Sequence, residues 1–198
     1  MEKRNYQREM EQILQKADKP PHILLHACCA PCSSAVLERL AEYAEITLFF
    51  CNPNILPKEE YDYRLEELKR LLREMPLPRE IALLEGEYCP ERFLSFASAL
   101  AEEPERGVRC QQCIQLRLEE AAKAAKQVGA DYFTTTLTIS PHKDAQFINT
   151  CGFAVAERTG TMWLPSDFKK KEGYKRSIVL SAQYGLYRQN FCGCPFSM

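Results

Sequence analysis

Ten cysteines in 198 residues are the feature with the most chemical content. Seven fall in three tight groups. CCAPC supplies Cys28, Cys29 and Cys32, CQQC supplies Cys110 and Cys113, and CGC supplies Cys192 and Cys194. Cys51, Cys89 and Cys151 stand alone. The N-terminal stretch MEKRNYQREMEQILQKADKP has no apolar centre, so no secretory leader is expected and the expected compartment is the cytoplasm. A reducing compartment disfavours a disulfide framework and leaves metal binding, cluster binding or thiol redox chemistry. One CxxC is a modest signal, but three groups together suggest a single convergent sulfur site. Soft thiolates select zinc or iron–sulfur over magnesium and calcium. A structural zinc would be satisfied by Cys110, Cys113, Cys192 and Cys194, leaving Cys28, Cys29 and Cys32 unexplained. Seven sulfurs suit a four-iron cluster with a second metal or a dithiol beside it. Cys29 and Cys32 also have the spacing of a thiol–disulfide exchange motif, although such an enzyme has no use for CQQC or CGC.

Other motifs narrow the field. The radical-SAM pattern C-x3-C-x2-C fails because Ala35 follows Cys28 and Cys32 where the third cysteine is needed. GxxxxGK[ST] and GxGxxG are absent, so a dedicated ATP or NAD site is not supported. His26 reads as a packed, hydrogen-bonded residue rather than a ligand, and His142 as a surface residue.

The elements that must position these groups follow from hydrophobic periodicity. A polar helix over 1–18 ends at Lys19-Pro20-Pro21. Strands are expected at 22–27, 45–52, 79–85 and 131–138. Helices are expected at 33–43 with Ser33 or Ser34 as N-cap, at 58–75, at 90–102, at 111–128 ending before Gly129, briefly after Pro141, and at 173–186. Residues 162–168 read as a short strand or loop. Alternating strands and helices predict a three-layer α/β fold with a mostly parallel sheet, and ligands then sit at the carboxyl ends of strands. The first strand runs directly into Cys28–Cys32. The chain is expected to be one domain over 1–198, with a helical extension at 1–20 and a C-terminal segment, 160–198, that completes the metal site.

Composition is ordinary for a globular chain, with 45% hydrophobic and 27% charged residues. No run of about 18 apolar residues exists, so no membrane span is expected. Net charge is −1, which gives no polyanion signal for the whole chain. Between Glu157 and Arg188, however, seven Lys/Arg face three acids, a local +4. Lys169, Lys170, Lys171, Lys175, Arg176 and Arg188 are therefore candidate phosphate contacts.

HACCAPC (26–32), FFCNPNILPKEEYDYR (49–64), RCQQCIQLRL (109–118), FTTTLTISPHKD (133–144) and KKKEGYKRS…GLYRQNFCGCPFS (169–197) together resemble the cobalamin-independent epoxyqueuosine reductases. The resemblance spans the chain from about residue 22. It implies a HUP-type, adenine-nucleotide-hydrolase-like domain and a 4Fe-4S cluster beside a second metal, iron in this family. The implied reaction reduces the epoxide of epoxyqueuosine at the wobble position of tRNAs for Tyr, His, Asn and Asp, with an external electron donor. Cys110 and Cys113 match cluster cysteines, Cys28 and Cys29 the adjacent pair, and Cys192 and Cys194 the C-terminal pair. Neighbours on an extended backbone point opposite ways. That suggests Cys29, Cys110, Cys113 and Cys192 on the cluster, with Cys28, Cys32 and Cys194 on the second metal. The competing division puts Cys28, Cys29, Cys110 and Cys113 on the cluster and leaves Cys192 and Cys194 as a redox dithiol. Some members of the family carry Asp where Cys32 stands, which bears on the second metal. Catalytic roles fall to Cys28, Cys32, Cys192 and Cys194. A proton donor is also needed, with His26, Asp167 and Tyr174 as candidates, and Trp163, Tyr174, Tyr187 and Phe191 could stack a splayed base. The rival readings are a zinc-organised tRNA-binding module and a thiol–disulfide oxidoreductase using Cys29 and Cys32.

Overall fold

A computed structural model describes residues 4–197. Four strands, β1 (His22–Ala27), β2 (Glu45–Phe50), β3 (Ala82–Glu85) and β4 (Tyr132–Thr135), form an all-parallel sheet in the order β3–β2–β1–β4. The order reverses between β1 and β4, and a crevice opens at the carboxyl ends of strands where this happens. Main-chain bonds between Phe133 and the Met162–Leu164 segment extend the sheet beyond β4 by one bridge at Trp163.

Alternation along β1 sends Ile23, Leu25 and Ala27 to one face and Leu24 to the other. The first face is covered by α1 (Tyr6–Lys16), α2 (Ala30–Leu40), α3 (Lys58–Glu74) and α7 (Gly173–Gln183). The second is covered by α5 (Val108–Val128) and α6 (Ala145–Thr159). The three-layer α/β expectation is therefore met. A small third cluster joins α4 (Pro90–Ala97), α5 and the C-terminal tail through Phe93, Ala97, Cys113 and Cys194. The N-terminal helix is part of the main core, where it buries Met10 and Leu14. No helix among the described residues is long and apolar enough to cross a membrane.

Several expected boundaries move by a few residues, and three of the changes have a clear physical reason. Helix α2 starts at Ala30, with Cys29 in the N-cap position and Pro31 in the first turn, where its fixed φ and missing N–H cost nothing. Ser33 and Ser34 are thus inside the helix, bonding back to the Cys29 and Pro31 carbonyls. Strand β4 stops at Thr135 because residues Thr136–Ile139 tighten into a 3-10 turn. The short helix expected after Pro141 is the 15-residue α6. Gly152 lies in its middle because the Trp163 indole packs there; a Cβ would come within 2.4 Å of the ring.

Candidate metal centre

β1 ends in the bottom of the crevice. Immediately beyond it, Cys28, Cys29 and Cys32 bring their sulfurs within 4.8 Å of one another, a group able to hold a metal ion. Cys28 Sγ and Cys29 Sγ lie 3.7 Å apart. Alternation predicts that these neighbours diverge. They converge because the chain leaves the strand at Cys28 and turns into α2 at Ala30.

One cysteine from each of the other two groups reaches the same cavity. Cys110 and Cys113 occupy the first two turns of α5, and Cys192 and Cys194 lie in the irregular tail. Cys28, Cys32, Cys110 and Cys192 line one cavity of about 370 Å³. Cys113, Cys192 and Cys194 pack together in the cluster formed by α4, α5 and the tail. Cys51, Cys89 and Cys151 do not line the cavity.

In the CCAPC and CGC groups, one thiol is made more acidic at the expense of a neighbour. Hydrogen bonds from Cys29 and Cys32, with help from the Arg117 guanidinium and Thr136, pull Cys28 well below an ordinary thiol. Cys32 is pushed up, because it is a donor to Cys28 and Cys29. Cys194 likewise donates to Cys192, whose pKa falls to about 4 while that of Cys194 rises. Cys113 is raised by burial, which outweighs its place in the first turns of a helix.

Three arginines that sequence reasoning passed over support this site. Arg117 is 4% exposed, lines the cavity, and donates from Nη2 to Asn52 Oδ1 at 2.6 Å. Its buried Nε has no hydrogen-bond partner. Asn52 in turn donates to the Ala27 carbonyl at the end of β1. Arg64 donates to the Phe191 and Cys192 carbonyls, each at 3.3 Å, and its guanidinium lies over the Phe191 ring. Arg109 donates to the carbonyls of Leu100, Ala101, Glu103 and Phe196. Charged residues on helices ordinarily read as solvated faces; here carbonyls of irregular chain, in the tail and in the 100–103 segment, take up the guanidinium donors of Arg64 and Arg109. The signal available was their position one turn or less from CQQC and from the α3 tyrosines.

The donor set fits a thiolate-bound metal group. It is all soft sulfur and comes from three segments, with a buried guanidinium in the same cavity to offset negative charge.

The remaining candidates divide. His26 is fully buried; Nε2 donates to the Cys51 carbonyl at 3.2 Å and Nδ1 accepts from Thr135 Oγ1 at 2.9 Å. Both ring nitrogens are occupied, and burial lowers its pKa to about 3. Trp163 is core, stacked edge-on to Phe133 and donating to Asn149. Tyr187 packs on Tyr63 and donates to Glu60, away from the cavity. Tyr174 and Phe191 do line the cavity, and Arg188 lies there with its guanidinium 6.0 Å from the Tyr174 ring. His142, expected at the surface, is exposed and also at the cavity wall.

The basic stretch is more dispersed. Lys171 pairs with Glu11, Arg176 with Glu38 and Lys175 with Glu172. Lys169 is engaged with Asp167 and the Thr138 carbonyl. Two cations outside the stretch, Arg106 and Lys143, line the cavity with Arg188.

The sequence model of the family described as "Epoxyqueuosine reductase QueH" matches residues 23–198. The chain belongs to that family. Proteins described by the same words include one from Streptococcus pyogenes serotype M1, 42% identical over 99% of this chain and 79% of the relative. Another, from Staphylococcus epidermidis, is 42% identical over 99% of this chain and 85% of its own. A third, from Thermotoga maritima, is 34% identical over 89% of this chain and 90% of its own. The epoxyqueuosine reductase family match thus takes in all three cysteine groups and Arg64, Arg109 and Arg117.

Proposed function

We propose that this chain is the oxidoreductase that converts epoxyqueuosine at the wobble position of tRNA into queuosine, the last step of queuosine biosynthesis. Its substrates are the tRNAs for Tyr, His, Asn and Asp, and an external donor supplies electrons. Family membership supports the activity class. The observation that supports the mechanism is that all three cysteine groups reach one cavity at the carboxyl end of β1, through Cys28, Cys32, Cys110 and Cys192, with Cys29 beside Cys28 and Cys32 and with Cys113 and Cys194 packed behind Cys192.

Removing the epoxide oxygen to leave an alkene takes two electrons and two protons, and releases water. Cys28, Cys29, Cys32, Cys110, Cys113, Cys192 and Cys194 hold a 4Fe-4S cluster and a neighbouring metal ion, iron in this reading. Once bound, that group supplies one-electron transfers and a Lewis acid for the epoxide oxygen. The rest falls to the chain's own side chains. Arg117 offsets the negative charge of the thiolates from within the wall. Tyr174 and Phe191 offer aromatic faces on which an extruded base can stack. Tyr174 Oη is the proton source this reading prefers, since the nitrogens of His26 are both committed and Asp167 lies outside the cysteine-lined cavity. Arg106, Lys143 and Arg188 hold phosphates at the rim, with the expected set Lys169, Lys170, Lys171, Lys175 and Arg176 flanking them.

The test is iron and zinc content with a visible spectrum on anaerobically purified protein. About four to five irons per chain and a shoulder near ~400 nm are expected for a thiolate-bound cluster with a neighbouring iron. One zinc and no colour would replace the reductase with a zinc-organised tRNA-binding module.

A further inference from the structure

A second cavity, about 610 Å³, adjoins the cysteine-lined one. Pro141, Lys143 and Tyr174 line both, so they form the wall between them. The floor of the second cavity contains a buried carboxylate. Asp167 is only 9% exposed, and its buried Oδ1 has no hydrogen-bond partner. Lys169 Nζ forms an ion pair with that oxygen at 3.1 Å and also donates to the Thr138 and Lys143 carbonyls, which leaves the carboxylate room for a further donor. The other carboxylates of this cavity are engaged: Asp144 caps α6 through Gln146 N, and Glu172 pairs with Lys175. Lys143 and Lys170, also at the cavity, have no carboxylate partner among the described residues.

A buried acceptor beside free ammonium groups, next door to a nucleoside cavity, has the polarity of a ribonucleotide site. A carboxylate accepts ribose hydroxyl protons, and lysines neutralise phosphate. The shared wall matters most. Two successive nucleotides of a strand are joined by one phosphodiester, and Lys143 stands where two adjoining cavities would place it. We propose that the second cavity is a subsite for the nucleotide next to the reacting one on the same RNA strand. In it Asp167 accepts the ribose 2′-hydroxyl, while Lys143 and Lys170 face the phosphates. The inference rests on the proposed function above. It assigns Asp167 to substrate discrimination rather than to proton donation, and it gives the site a means of telling RNA from DNA.

The experiment uses anticodon stem-loop RNAs with epoxyqueuosine at the wobble position and a single 2′-deoxy substitution at the nucleotide before or after it. Conversion is followed by nucleoside mass, and binding of the matching unmodified stem-loops by fluorescence anisotropy, on the metal-loaded enzyme. One of the two deoxy substitutions is expected to raise KM and Kd about tenfold, the size of one hydrogen bond to a charged acceptor, with kcat nearly unchanged. In Asp167→Ala, which removes the acceptor, the deoxy penalty should largely vanish. Lys170→Glu, at an exposed position, should weaken binding and reduce its salt dependence while Asp167 stays in place. Deoxy penalties below about twofold at both positions, or a penalty that persists in Asp167→Ala, would overturn the subsite. If no stem-loop is converted yet binding discriminates the deoxy position, the reductase reading fails and the subsite stands.

Discussion

Two of the cavity's three sulfur-bearing walls are built differently. Cys28, Cys29 and Cys32 sit where β1 hands over to α2, and strand pairing and helix bonds fix the main chain around them. Cys192 and Cys194 sit in a tail without regular structure, held by side chains reaching from elsewhere. Asn54 and Arg64 bind the Cys192 carbonyl, Arg64 that of Phe191, and Arg109 that of Phe196, while Leu56 N binds the Gly193 carbonyl. A wall made of secondary structure spreads its support over many bonds. A wall made of irregular chain concentrates it in a few buried donors, and those are where a single substitution reaches the metal centre. Opposite outcomes for equivalent changes in the two walls would uphold that distinction.

The largest effect should not distinguish the walls at all, because both contribute sulfur. Cys32→Ser and Cys192→Ser are each expected to lower reductase activity at least about a hundredfold, more than the loss of an outer-shell partner costs. Cys151→Ser, outside the cavity, should stay within about twofold. Activity that survives Cys192→Ser intact would remove the tail from the metal centre.

Stability should separate the walls. Arg109→Ala leaves four carbonyls without their donor, and about 3–5 kcal/mol is expected, the range for stripping a buried charged partner. Ser34→Ala in the regular wall removes one hydrogen bond to the Pro31 carbonyl and should cost about 1 kcal/mol. Urea unfolding measures both, and iron content should fall only in the first. Gly193→Ala lies between them. Gly193 has φ +96°, and a Cβ there would meet Ile55 Cγ1 at 2.7 Å. About 1–3 kcal/mol of strain is expected, localised in the tail and visible as faster amide exchange at Cys192–Cys194. Equal costs for Arg109→Ala and Ser34→Ala would mean that the tail is not held by its arginines.

The same division explains what the sequence could reveal. Regular parts were legible: HILLHA and the strand after Ala44 read correctly, and Gly129 ends α5 in the left-handed conformation it favours. That Cys28, Cys32, Cys110 and Cys192 would approach one cavity was legible, because thiols in the same chain have few other reasons to cluster. What was hidden depends on tertiary partners. Ser33 and Ser34 looked like caps until Pro31 claimed the first turn of α2. Gly152 disguised the length of α6, because its reason for being there is Trp163, eleven residues on. Arg64, Arg109 and Arg117 drew no reading from the sequence, since the carbonyls that draw Arg64 inward belong to the tail and those that draw Arg109 inward to the 100–103 segment and the tail. The run KKKEGYKR showed charge but not pairing, and its acids come from α1, α2 and the run itself.

That last point yields the smallest expected effect. Arg176 makes two bonds to the Glu38 carboxylate, at 2.7 and 2.6 Å, but both side chains are well exposed. The guanidinium holds the Glu38 carboxyl below its ordinary 4.5. A carboxyl with a depressed pKa in the folded state stabilises above its unfolded pKa and loses that contribution as pH falls through the folded value. The difference between wild type and Glu38→Gln should therefore be present at neutral pH, shrink below 4.5 and disappear once the carboxyl is protonated. High salt should also erase it at neutral pH, because water and ions screen an exposed pair. Urea midpoints across that pH range measure the effect. A difference that grew on acidification would require Glu38 to be stabilised in its protonated form, and the pairing seen at α2 and α7 would not describe the protein in solution. If the pair behaves as expected, Arg176 is spent on tying α7 to α2 and is the member of the basic stretch least able to reach RNA.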